Sequence, residues 1–216
     1  MSSSRIPGHH AGLTKEAILS EARTLGEQKG IDAITMRALA WRLGVTPNAL
    51  YTYFPNKESL LDALLDSLLG DIDVTSVEDM DWRSGLTQIM NDSRRLLLSH
   101  PKLISMFLTR PGLGINAARL GEATFSLTRR AGIEGQQAVD SFRVLLIFSL
   151  GYAAIQAQSL GASRSEQIKT DFMDLPQEGF SEMRKLAPLL ATYPDEQGYL
   201  LGLNWLLDGI VGSYSS

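Results

Sequence analysis

The sequence predicts an all-α chain: a three-helix head followed by a larger helical body. Three observations lead there. Apolar residues recur at helical spacing through most of the 216 residues. The breaks between periodic segments carry Gly, Pro, Asn and Asp. No stretch shows the strict alternation of a half-buried strand.

The first helix is capped by Thr14, carries Ala17, Ile18, Ala22 and Leu25 on one face, and ends at Gly30. The second starts at Thr35, presents Met36, Leu39, Ala40 and Leu43, and ends at Gly44. Thr46 then caps a third, with Pro47 at the first helical position, where its missing N–H costs nothing. That helix is brief, because Pro55 stops it near Phe54. A fourth begins at Asn56 and carries Leu60, Leu61, Leu64, Leu65 and Leu68 towards Gly70. The acidic stretch Asp71–Asp81 reads as a linker. Beyond it, amphipathic stretches fall at about 82–99, 102–109, 115–131, 136–160, 171–191 and 196–213, with Ser163–Lys169 as a mobile polar loop. The expected organisation is an arm at 1–12, a head at 13–55, a connecting helix and linker at 56–81, and a body at 82–216.

Composition removes several chemistries. There is no cysteine, which excludes disulfides, thiolate metal sites and cysteine nucleophiles. The N-terminus lacks a charged-then-apolar signal pattern, and the apolar runs at Val144–Ile155 and Tyr199–Val211 are short for a membrane span. A cytoplasmic location is the expectation. The net charge of −4 hides an asymmetry: residues 1–57 hold seven basic and four acidic side chains, the remainder thirteen and twenty. A basic head suits a phosphate-rich partner, because cations displace the counterions condensed on DNA.

The informative segment is residues 35–54, TMRALAWRLGVTPNALYTYF. Two short helices meet at Leu43-Gly44-Val45-Thr46, a tight turn with Gly where a positive φ is wanted. Met36, Leu39, Ala40, Leu43, Val45, Leu50 and Phe54 can pack inward on the first helix. Thr46, Pro47, Asn48, Ala49, Tyr51, Thr52 and Tyr53 are then left at the start or outer side of the second, as in a recognition helix. Asn48 can bond a base edge, Ala49 and Thr52 can touch a thymine methyl, and the tyrosine hydroxyls can reach phosphates. Arg37 and Lys57 flank them as phosphate clamps. The same pattern also describes a helical hairpin that merely packs, with Tyr51 and Tyr53 at the edge of its core.

The ordered set Thr35-x-Arg37-x-Leu39-Ala40, Leu43-Gly44-Val45, Ala49-Leu50-Tyr51 and Phe54-x-Asn56-Lys57-x-x-Leu60-Leu61 resembles the helix-turn-helix of the tetracycline-repressor (TetR) family. Gly30-Ile31-x-x-Ile34-Thr35 matches as well. Leu97-Leu98-Ser99-His100, Thr109-Arg110-Pro111, Leu150-Gly151 and Gly202-Leu203 extend the resemblance to the subgroup with a tetracycline-repressor-like body. The resemblance implies a transcriptional repressor that binds operator DNA as a homodimer and is released by a small molecule. It places Thr35, Arg37, Pro47, Asn48, Ala49, Tyr51, Thr52, Tyr53 and Lys57 at DNA-facing positions.

The family's metal–drug pocket does not carry over. The resemblance puts a ligand histidine three residues before Thr-Arg-Pro and an acidic residue four beyond Leu-Gly; Met106 and Ile155 stand there. Neither can hold Mg²⁺, so no metal and no cofactor are expected. His100 reads as a cap or surface residue. An apolar or aromatic effector is expected instead, among Met90, Met106, Phe107, Phe125, Phe142, Phe148 and Tyr152, with Gln88, Asn91 and Gln156 as polar anchors. Plain core packing accounts for the same apolar set.

The helices at about 136–160 and 196–213 are apolar nearly all round, which points to a second copy as their partner. Gly151, Ala154, Gly202, Trp205, Leu206 and Gly209 form the expected dimer face. A buried helical pair within one subunit is the alternative. Gly112-Leu113-Gly114-Ile115-Asn116-Ala117 imitates a dinucleotide fingerprint, but no strand precedes it. No nucleophile or metal cluster supports catalysis, so the chain is not expected to be an enzyme.

Overall fold

A computed structural model describes residues 13–110, 112–158, 162–192 and 194–212, and all regular structure among them is helical. The expected N-terminal arm and Pro111 lie outside the described residues. The chain forms two compact units.

The first unit holds residues 13–71 and 102–120. Helix α1 (Lys15–Lys29) starts where the Thr14 hydroxyl accepts from the Ala17 N–H at 3.1 Å. Helix α2 (Met36–Leu43) starts the same way on Thr35 and stops at Gly44, whose φ of 66° is the left-handed conformation that a glycine C-cap adopts cheaply. Helix α3 (Pro47–Tyr51) follows, one turn shorter than predicted. Helix α4 (Lys57–Leu69) begins in a reciprocal capping box between Asn56 and Ser59. Ile18, Ala22, Leu25, Met36, Leu39, Ala40, Leu50 and Phe54 share one core with the leucines of α4.

Residues 102–120, expected in the body, pack with this head. They contain helix α6 (Ile104–Thr109) and the start of α7 (Ile115–Arg130). Leu103 and Met106 are fully buried in the head's core. A Cβ on Gly26 would sit 2.6 Å from a Leu103 methyl, so the glycine lets that side chain lie close against α1. Arg110 bridges Glu58 and Asp62 of α4, Asp62 at 2.6 Å. Asp66 of α4 accepts from the backbone N–H groups of Asn116 and Ala117, both at 3.0 Å, and so caps α7 from another helix.

The second unit holds residues 72–101 and 121–212. Its main helices are α5 (Trp82–Ser99), α8 (Gly135–Gln156) and α11 (Glu196–Gly212). The predicted linker at 71–81 is a folded turn: Ile72 and Val77 are buried, and Asp81 caps α5 through the N–H groups of Arg83 and Ser84. His100, expected as a cap or surface residue, is the α5 C-cap and is buried there.

Two further expectations need correction. Ser163–Lys169 is not a loop but part of helix α9 (Ala162–Met173). The expected single helix at 171–191 is the end of α9 and a separate α10 (Ser181–Leu190), parted by Pro176 and by Gly179 at φ +84°. α9 has only a narrow apolar side, Ile168 and Phe172, to reveal it, and it packs on α10; exposed pairs such as Gln167–Asp171 at 2.7 Å and Lys169–Glu166 at 3.0 Å add to it. Helix α8 keeps close to its expected bounds of 136–160 and ends at Gln156. Its 22 residues include a window of mean hydropathy 1.6, long and apolar enough to cross a membrane by length and composition, with 28% of that window buried.

Candidate nucleic-acid interface

The α2–α3 turn displays one set of side chains and retracts another. Leu50 and Phe54 anchor α3 and its following turn in the core. Pro47, Asn48, Tyr51 and Thr52 are thereby left exposed, with Ala49 half-buried between them. Thr46 occupies the N-cap position without a side-chain cap bond, so its exposed hydroxyl remains available. Arg37 is exposed on α2, and Lys57 opens α4.

Three expected DNA-facing residues are committed to the fold. The Thr35 hydroxyl caps α2. The Thr52 hydroxyl donates to the Ala49 carbonyl at 2.6 Å, although the residue itself is exposed. Tyr53 is turned inward, donating to the Leu13 carbonyl at 2.6 Å and packing on the head's core. That bond fastens the chain entering α1 to the turn after α3, and it leaves Tyr51 as the outward tyrosine. Arg42, by contrast, is held by Glu21 and by Gln28 at 3.1 Å.

The residues expected to form one effector pocket are scattered. Met106 and Phe107 belong to the core of the head unit. In the body unit, Phe125 and Phe142 pair with ring centroids 5.4 Å apart, and Phe125 lines an open groove of about 500 Å³ with Arg129, Ile133 and Val139. Gln88 and Asn91 line a separate polar groove of about 540 Å³ beside Arg83 and Arg95, and Gln88 donates to the Ser76 hydroxyl at 2.8 Å. Met90 is buried in α5. Phe148 and Tyr152 cluster on Tyr199, with centroids 5.4 to 5.6 Å apart. Gln156 bonds Arg94 at 2.7 Å.

Arg94 escaped the sequence reading. Only 2% exposed, it stacks 4.8 Å from the centre of the Tyr199 ring and pairs with Glu196 at 3.2 Å. It thus ties α5 to α8 and α11. The signal was present: Leu86, Met90 and Arg94 are spaced by four, so the arginine falls on the buried stripe. Burial pushes the Tyr199 phenol up to about 12, against smaller lowering by the Ser149 hydroxyl at 2.8 Å and by Arg94.

Nothing at Met106 or Ile155 fits a magnesium–drug complex. Met106 is enclosed by aliphatic side chains of the head, and Ile155 is exposed hydrocarbon; neither offers an oxygen or nitrogen donor.

The dimer-face expectation divides as well. Trp205 and Gly209 are exposed, while Gly151, Ala154 and Leu206 are half-buried. Gly202 is occupied within the chain: a Cβ there would sit 2.7 Å from the Phe148 ring, so its smallness serves the packing of α8 on α11.

Residues 18–64 match the family of bacterial regulatory proteins, tetR family, and residues 76–213 match the tetracyclin repressor-like C-terminal domain. The tetracycline repressor protein class A from transposon 1721 of Escherichia coli is 29% identical over 208 residues, 92% of this chain and 90% of that one. An HTH-type transcriptional regulator of Saccharopolyspora erythraea is 32% identical over 120 residues, 56% of this chain and 51% of that longer protein. Among solved structures, the TetR family protein ActR of Streptomyces coelicolor, in complex with actinorhodin, superposes with a TM-score of 0.88 at 25% identity, over 95% of this chain and all of that one.

Proposed function

Because the chain belongs to the tetR family of bacterial regulatory proteins, we propose that it is a homodimeric repressor that binds a palindromic operator in the cytoplasm and is released by a small molecule. The observation that carries this reading is the outer side of α3: Thr46, Pro47, Asn48, Tyr51 and Thr52 lie exposed on a rigidly cored head, flanked by Arg37 and Lys57. Asn48 reads a base edge; Tyr51, Arg37 and Lys57 hold phosphates. Residues 13–55 do the reading, 56–81 connect, and 82–212 carry effector binding and dimerisation, with residues 102–120 as the part of that segment seated against the head. No enzymatic role is assigned.

An apolar or aromatic effector suits the aromatic clusters of the body, and the actinorhodin complex of ActR supports a ligand of that kind. Gel shifts against an operator selected from random duplexes test the DNA assignment. Tyr51→Ala and Lys57→Ala should each weaken binding about tenfold with circular dichroism unchanged. Asn48→Ala should relax base preference at one position of each half-site. Wild-type affinity in the first two variants sinks the interface.

A further inference from the structure

Within residues 13–57, only two large apolar side chains are exposed: Tyr51 at 47% and Trp41 at 83%. Tyr51 belongs to the proposed interface. Trp41 has had no role, and its ring has neither an aromatic nor a cationic neighbour among the described residues. Leaving an indole in water forgoes the burial that a large apolar side chain ordinarily gains, so an external partner is the question it raises.

Position narrows the partner. α2 buries Met36, Leu39 and Ala40 on one side, and Trp41 stands on the outer side four residues after Arg37. Helical side chains lean towards the N-terminus of their helix, so the indole reaches back over the turn carrying Arg37. That turn is the end of α2 that the proposed interface already includes. The neighbouring Arg42 is spent on Glu21 and Gln28, whereas Arg37 is exposed.

Chemistry narrows it further. No exposed aliphatic side chain accompanies Trp41 in residues 13–57, as a protein-docking patch would require. What α2 offers is a cation beside an aromatic body with one N–H donor at its edge. Deoxyribose and phosphate match both parts.

We infer that Trp41 is a second aromatic contact to DNA, lying on the sugar–phosphate backbone beside the base-reading segment and donating its indole N–H to a phosphate. The contact rests on the operator-binding reading above. It strengthens binding without reading sequence, because it meets no base edge.

Wild-type protein and the variants Trp41→Ala, Trp41→Phe and Arg37→Ala are compared on an operator selected from random duplexes. Trp41→Ala should lose about fivefold to thirtyfold in affinity, with the same ranking of point-mutated operators. Its melting temperature should be nearly unchanged, since the residue is 83% exposed. Hydroxyl-radical footprints should lose protection at sugars outside the contacted bases. Trp41→Phe should recover part of the affinity, and Arg37→Ala alone should reduce the salt slope by about one. Unchanged affinity in Trp41→Ala overturns the inference. So does an altered base preference, or loss confined to slower-migrating complexes that hold more than one protein dimer. If the wild type selects no duplex at all, the operator-binding reading itself has failed. If it binds and only Trp41→Ala is silent, this contact alone has failed.

Discussion

At the scale of single residues, the buried polar cluster of the body makes two predictions. Tyr199 is fully buried, and its phenol titrates near 12 instead of 10. The raised value means the folded state holds the proton more tightly than the unfolded chain does. The corresponding stability is present in full below about pH 10 and is lost as pH rises from 10 to 12, on the order of 2–3 kcal/mol in all. Ultraviolet titration of the tyrosines should show a late phase that coincides with alkaline unfolding and shrinks in Tyr199→Phe to the contribution of Tyr152, which burial also raises; a late phase undiminished in that variant refutes the assignment. Arg94 gives an asymmetry. Arg94→Met removes the buried charge and keeps most of the volume, leaving Glu196, which is half in water and retains Arg95 at 3.4 Å. Glu196→Ala leaves the buried guanidinium without its carboxylate. The glutamate variant should therefore lose more stability, by about 1 kcal/mol, as denaturant midpoints at constant slope would reveal. Equal losses, or the reverse order, would mean that the pair is effectively solvated.

At the scale of elements, α4 and α7 meet at Asp66, whose carboxylate accepts from two α7 backbone N–H groups and whose backbone carbonyl accepts from the Asn116 side chain at 3.0 Å. Asp66 caps α7, and Gly114 is the residue that lets it: a Cβ at 114 would stand 2.0 Å from the Asp66 carboxyl carbon. Asp66→Ala should cost about 1–2 kcal/mol, the usual value of a lost cap, and Gly114→Ala at least as much. In the Asp66→Ala background, Gly114→Ala should cost far less, because the clash and the cap are the same contact. Strictly additive losses would show that Gly114 matters for another reason. This cap also marks where the sequence stops being legible. Thr14, Thr35, Asn56, Gly30 and Gly44 announce the head's helices because each cap is local, within three or four residues of what it satisfies. Asp66 acts across 50 residues on α7, so no local pattern announces it, and the place of residues 102–120 beside the head was missed for the same reason. Helix α9 was missed on other grounds: its apolar side is only Ile168 and Phe172, too short a period to announce a helix. The outward face of α3 was legible because Leu50 and Phe54 fix its rotation. The inward turn of Tyr53 was not, since its partner is a backbone carbonyl 40 residues away.

At the scale of the whole molecule, the unsolved quantity is the apolar surface that one chain leaves in water. Helix α8 buries Ala138, Ser141, Leu145, Ser149 and Ala153, yet Val144 is 45%, Ile147 69% and Ile155 53% exposed. On α11, Tyr199, Leu203 and Leu207 are inside, while Leu201 is 51% and Trp205 66% exposed. These five sit at spacings of three, four and eight along their helices, so each helix carries an inner stripe and an outer one. Burying about half of each large side chain on both copies would contribute on the order of 10 kcal/mol, enough to offset much of the cost of association. The small residues Gly151, Ala154 and Gly209 lie on or beside the outer stripe, where they permit close helix approach. A homodimer through α8 and α11 is therefore predicted, and it suits a palindromic operator, whose half-sites require two recognition segments about 34–36 Å apart. Light scattering should therefore report twice the chain mass of 23.7 kDa. Ile147→Glu with Trp205→Glu should give a folded monomer, since neither side chain belongs to the chain's own core. Operator affinity should fall at least a hundredfold in step, because one head retains half the contacts. A variant that stays dimeric places the interface elsewhere, and a monomer that still binds the palindrome tightly would mean that reading does not depend on pairing.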